Sequence, residues 1–229
     1  MKLASVIRTF LAGFGIQRTI THLLYAALTA AGIYLTTLYS PRAEFTFIFI
    51  LGFGYICLVF LCITMLIGPI NLLRKRSNPV NIDLRRDTGI WAGITGCLHV
   101  FFALLERNRG GILSFFFRQN GRPLLTLVGA SNWVGLFATI LLIALLATSN
   151  MLSLRALKGK RWKKLQRLNY LLVVLAFMHV FGYQMGGGRE RFFMDATVIA
   201  MIIVLVIQLA GVSIYQRRKQ AHLARTNPV

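Results

Sequence analysis

Three of the chain's four histidines, His22, His99 and His179, fall inside long apolar runs. An ionisable group in such a run is costly and marks a candidate site. Imidazole is also the commonest side-chain ligand for metals. Spacing relates two of the three. His99 follows Arg85 by 14 residues and His179 follows Arg167 by 12, helical rises of about 21 and 18 Å. If both arginines mark one membrane surface, the two imidazoles reach the same depth. Two neutral imidazoles at one depth on parallel helices can clamp a haem iron from its two faces. Gly89, Ala92, Gly93 and Gly96 make a low ridge leading to His99, and Ala176 and Gly182 flank His179. A flat porphyrin needs such clearance, but so does close helix packing, and spacing alone leaves both open. His22 lies four residues past Arg18, near the depth of Gln166. The two are candidates for an inner quinone or cofactor site; for His22, an interfacial histidine bonded to lipid or backbone is the plainer reading.

These residues must be positioned by spans. The chain has 229 residues, 56% hydrophobic and only 14% charged, whereas soluble domains carry about a quarter charged residues. A span needs about 20 apolar residues. Six candidates appear: Ile20–Leu38, Phe45–Gly68, Gly89–Leu105, Leu125–Thr148, Leu168–Tyr183 and Phe193–Tyr215. The first also has the basic start of a signal peptide, and is expected to be retained as a span. The 26 Lys and Arg against 6 Asp and Glu suggest nucleic acid in a soluble chain. Here they sit between the runs, where they set topology and leave no role for nucleic acid. Nineteen basic residues fall in the N-terminus, second loop, fourth loop and tail, and seven in the other loops. That bias puts both termini in the cytoplasm. The expectation is an all-α membrane protein of six transmembrane helices in a cytoplasmic membrane. Residues 1–18 form an interfacial segment or a loose lead-in, 19–215 the six-helix domain and 216–229 a basic tail. The loop patch Ile112–Phe117 is expected to lie on the membrane or face a partner.

Competing chemistry is missing. There is no GxGxxG, P-loop, HExxH or GxSxG pattern. Cys57, Cys62 and Cys97 have no metal or redox spacing and read as small apolar fillers. Without CxxCH a haem would be non-covalent. The 14 residues after Tyr215 are too few for a nucleotide-binding unit, which needs roughly 30, so redox partners are expected to be separate molecules.

LRRDTGIWAGITGCLHVFFAL (84–104), GRPLLTLVGASNWVGLFATILLIALLATSN (121–150) and GKRWKKLQRLNYLLVVLAFMHVFGY (159–183) resemble the ferric-reductase-like transmembrane domain superfamily. Within it they most resemble the haem-binding membrane subunit of the periplasmic methionine-sulfoxide reductase system. The match covers about residues 72–185, three segments in order. In that superfamily, which includes the NADPH oxidases, two histidines on each of the third and fifth helices can bind two stacked haems. His99 and His179 match the outer pair. Arg85 and Gln166 stand at the inner positions, so the resemblance implies one b-type haem in a haem-binding bundle. Arg107, Arg109, Arg122 and Arg189, on the outer side, are candidates to meet its propionates; lipid headgroups or an acidic partner explain them equally well.

The leading expectation is therefore a membrane cytochrome. It would pass electrons from quinol or a membrane donor to an acceptor outside, as a subunit of an oxidoreductase system rather than a complete enzyme. A redox protein or larger membrane complex would be its partner. The competing expectation is a structural subunit that keeps the fold and perhaps the haem.

Overall fold

The computed structural model describes residues 15–40, 43–74, 82–106, 111–187 and 191–226. The chain forms α1 (Ile16–Tyr39), α2 (Phe45–Leu73), α3 (Ile82–Glu106), a 3-10 turn (Ile112–Phe115), α4 (Leu127–Ala147), α5 (Met151–Ala156), α6 (Lys158–Gln166), α7 (Asn169–Gly187) and α8 (Arg191–Thr226). Six helices are long and apolar enough to cross a membrane. The interfacial segment expected over residues 1–18 lies outside the described residues as far as Phe14.

α2 is apolar all round, the mark of a helix enclosed by others. It packs on α1, α3, α7 and α8, and its Phe60 is fully buried. Around Leu58, Phe60, Leu61 and Met65 gather Leu142 and Leu145 of α4, Leu172, Val173 and Phe177 of α7, and Val204 of α8. The outward faces carry exposed Leu24, Phe137, Ile140, Val174, Ile202 and Leu205, which suit hydrocarbon. The main helix pairs are α2 with α3 and α4 with α7.

The third span is longer than hydropathy suggests, starting at Ile82 rather than Gly89. Its extra turns hold charges, of which Asp83, Arg86 and Asp87 are paired. Arg18 of α1 grips Asp87 through two bonds of 2.9 and 2.5 Å, and Arg86 meets Asp83 at 3.0 Å. Asp87 is only 1% exposed, and a buried carboxylate requires such a partner. Polar side chains tie the spans elsewhere. Gln208 Nε2 donates to Met65 O (2.7 Å), and Arg218 Nη2 to Leu72 O (3.1 Å) at the end of α2, where helix carbonyls lack partners.

Part of the Ile112–Phe117 patch packs back on the bundle. Phe116 and Phe117 pack on Trp133 at 4.9 and 5.5 Å between ring centres, and Asn132 Nδ2 donates to Phe115 O (2.8 Å). Ile112 and Leu113 remain exposed. A tight hairpin forces the fold-back: Gly121 N donates to Arg118 O (2.9 Å) and Arg118 N to Arg122 O (2.8 Å). Gly121 takes φ +74, where a side chain would be strained.

Candidate functional site

The two helix pairs bring His99 and His179 together, with ring centres 6.0 Å apart and planes at 85°. Both histidines line a cavity of about 490 Å³ between α2, α3, α4 and α7, walled mainly by apolar side chains such as Leu51, Leu58, Val100, Leu136 and Leu142.

Each imidazole is held in the same way from the other helix of its pair. His99 Nδ1 lies 2.8 Å from Ile50 O on α2. His179 Nδ1 lies 2.8 Å from Ser131 O on α4. A carbonyl only accepts, so each Nδ1 carries the proton and each Nε2 keeps its lone pair. Four residues after each carbonyl is a glycine that opens the helix surface to the ring. A Cβ on Gly54 would stand 2.8 Å from His99 Nδ1, and one on Gly135 would stand 2.5 Å from His179 Nδ1. These notches were not recognised in the sequence. The available signal was one glycine among several on each neighbouring span, Gly54 and Gly135, at the depth of its histidine. Of the expected ridge, Gly93 faces Leu146 and Gly96 faces Leu142, so those positions serve helix packing, while Gly96 also lines the cavity. Tyr183 stacks obliquely on His179 at 5.0 Å and donates from its hydroxyl to Asn132 Oδ1.

The geometry fits a planar metal complex. An imidazole nitrogen binds a metal at roughly 2.0–2.1 Å, with the ring centre about 1.1 Å behind it, so two imidazoles across one metal set ring centres about 6.3 Å apart. Among the described residues no group of three or more His, Cys, Asp or Glu is placed to hold a metal ion. Two imidazole nitrogens alone are too few for a bare ion; a group that brought its own further ligands, such as a haem, would be completed by them.

His22 is arranged differently. Trp91 Nε1 donates to its Nδ1 at 2.8 Å, which occupies that lone pair. In the neutral ring Nε2 then holds the proton, and it lies 3.9 Å from Asp87 Oδ2. Gln166 lines a second cavity, of about 310 Å³, whose lining includes Arg85 but not His22. Arg122 is exposed on the hairpin and is not part of the outer lining. Arg107, Arg109 and Arg189 lie outside the described residues. Asp195 is exposed, and among the described residues the ion pairs of carboxylates involve Asp83 and Asp87.

Proteins named protein-methionine-sulfoxide reductase heme-binding subunit MsrQ, from Salmonella paratyphi B, Salmonella newport and Salmonella heidelberg, are each 35% identical to this chain over 127 residues, which is 55% of this chain and 59% of theirs. The match spans little more than half the length of those relatives. A sequence profile of the ferric reductase like transmembrane component family matches residues 50–177. That stretch runs from the carbonyl that holds one imidazole to within two residues of the other, and the chain belongs to this family.

Proposed function

We propose that the chain is a multi-pass electron-transfer subunit of a bacterial cytoplasmic membrane, with both termini inside, in which His99 and His179 hold one b-type haem. The observation that carries this reading is the facing imidazole pair, 6.0 Å apart and each tied to a backbone carbonyl. The name of the relatives, a heme-binding subunit, supports it. When bound, the haem supplies one-electron redox chemistry.

The chain's own residues hold and insulate it. Ile50 O and Ser131 O keep the Nδ1 protons, which fixes the rings and makes each Nε2 a better donor to iron. Gly54 and Gly135 let the rings approach. Leu51, Leu58 and Leu136 exclude water, and Phe115 and Phe116 add to the lining.

The donor is quinol or another membrane donor, and the acceptor lies on the outer side. The imidazoles stand about 18–21 Å along their helices from the inner arginines, and the inner cavity is lined by Arg85 and Gln166, neither a ligand for haem iron. A lipid-soluble quinol avoids that gap by diffusing within the membrane. The same missing ligands favour a second reading, a structural subunit that retains the fold.

Two experiments separate the readings. The purified chain is expected to give a low-spin b-type reduced-minus-oxidised spectrum with one haem per chain; no such spectrum would sink the haem assignment. In sealed vesicles of known orientation, quinol is expected to reduce the haem while an impermeant donor on the inner side is not. A haem that quinol leaves oxidised would favour the structural reading.

A further inference from the structure

The second cavity lies at the other end of the bundle from the imidazole pair. Its lining joins the start of α3, the end of α4, α6 and the start of α7. Its floor is leucine: Leu61, Leu142, Leu145, Leu146 and Leu172. Its rim is cationic, with Arg85, Arg86, Lys163 and Arg167, and no acidic residue lines it. Arg86 is partly neutralised by Asp83 and Asp87. Among the described residues Arg85, Lys163 and Arg167 make no ion pair. Gln166 Nε2 is buried here without a hydrogen-bond partner, a state that calls for an acceptor. Three neighbouring donors are already used: Trp162 Nε1 bonds Thr148 O (2.9 Å), Ser149 Oγ bonds Leu145 O (2.6 Å), and Thr64 Oγ1 bonds Leu61 O (2.6 Å).

A ligand for this cavity must carry negative charge, offer an acceptor oxygen and have an apolar part. A neutral carbonyl compound such as a quinone satisfies the amide but leaves the cations unbalanced. A phosphate diester satisfies both, because guanidinium groups bind phosphate oxygens through paired bonds. Basic pockets between transmembrane helices on the cytoplasmic side are suited to anionic lipid heads. We propose that this cavity is a binding site for one anionic phospholipid, with its phosphate among Arg85, Lys163 and Arg167, one oxygen accepting from Gln166 Nε2 and an acyl chain on the leucine floor. A free phosphate shares the head chemistry but leaves that floor uncovered.

Native mass spectrometry of the full, delipidated chain in detergent tests the site. The probes are phosphatidylglycerol, phosphatidylcholine of the same chain length, and inorganic phosphate. One phosphatidylglycerol is expected to bind with at least about tenfold preference over phosphatidylcholine. Arg85→Gln, Arg167→Gln and Gln166→Glu should each remove most of that preference, while Arg161→Gln, exposed and outside the lining, should leave it intact. Inorganic phosphate should neither bind alone nor displace the lipid. Equal binding of the two lipids, or a preference untouched by all three cavity variants, would overturn the proposal. Displacement by inorganic phosphate would overturn the lipid as occupant in favour of a soluble phosphate compound. Because the readout is lipid mass, a failed haem assignment leaves this result independent.

Discussion

The bundle holds two cavities in line, sharing Leu61, Leu142 and Leu172 in their walls, and they are built to opposite ends. In the one that holds the histidines, two imidazole rings each keep one nitrogen free of the backbone bond that holds them. In the other, Arg85 stands on the helix of His99 and Gln166 ends the helix before that of His179, presenting charge and donors but no good ligand for iron. The bundle is common to both. The chemistry changes with the side chains that line each, so function here is a property of the site and not of the fold.

The largest expected effect breaks the outer cavity. His99→Ala or His179→Ala should abolish the low-spin haem spectrum, measured on purified protein, because one axial ligand alone cannot give that state. A normal spectrum in either variant would mean that another residue binds the iron. The next experiment makes the two cavities alike. Arg85→His combined with Gln166→His should raise the haem content from about one to about two per chain, read by haem extraction against protein mass. No gain would show that the difference lies in cavity shape as well as in the ligands.

A smaller effect sharpens the outer side. Gly54→Ala or Gly135→Ala should push the imidazole off its carbonyl and weaken haem retention about 10- to 100-fold, the usual cost of losing a ligand's supporting bond. Competition with apomyoglobin measures it. The smallest concerns His22, which belongs to neither cavity. Trp91→Phe removes the donor to its Nδ1. This should cost about 1 kcal/mol of stability in a denaturant titration and leave the haem spectrum unchanged.

Much of the fold was legible because each span is a long apolar run, and apolar length is a one-dimensional signal. The helix ends were less so. The third span's first turns carry Asp83, Arg85, Arg86 and Asp87, and hydropathy cannot register that Arg18 of another helix neutralises Asp87. The closeness of His99 and His179 followed from depth counting along parallel helices. Gly54 and Gly135 did not, because recognising them requires knowing that α2 faces α3 and α4 faces α7. The same limit bears on His22 and Gln166: equal depth places two residues on one plane, but azimuth decides which cavity each one lines, and His22 does not line the cavity of Gln166. The packing of Phe116 and Phe117 was not legible because their partner, Trp133, lies on the helix after the loop.

If His99 and His179 hold a haem as proposed and keep the 85° between their planes, an electronic consequence follows. Each ring would overlap mainly one of the two iron d orbitals that point out of the porphyrin plane, and crossed rings would address a different one each. In an iron held between them, these two orbitals stay nearly equal in energy, so the unpaired electron of the ferric state keeps a large orbital magnetic moment. Electron paramagnetic resonance of the oxidised protein should then show a strongly anisotropic low-spin signal with one dominant low-field feature, instead of the three-line rhombic pattern of parallel rings. The two glycine notches, set on different helices, would thus determine the magnetism of the metal by fixing the direction from which each ring is gripped.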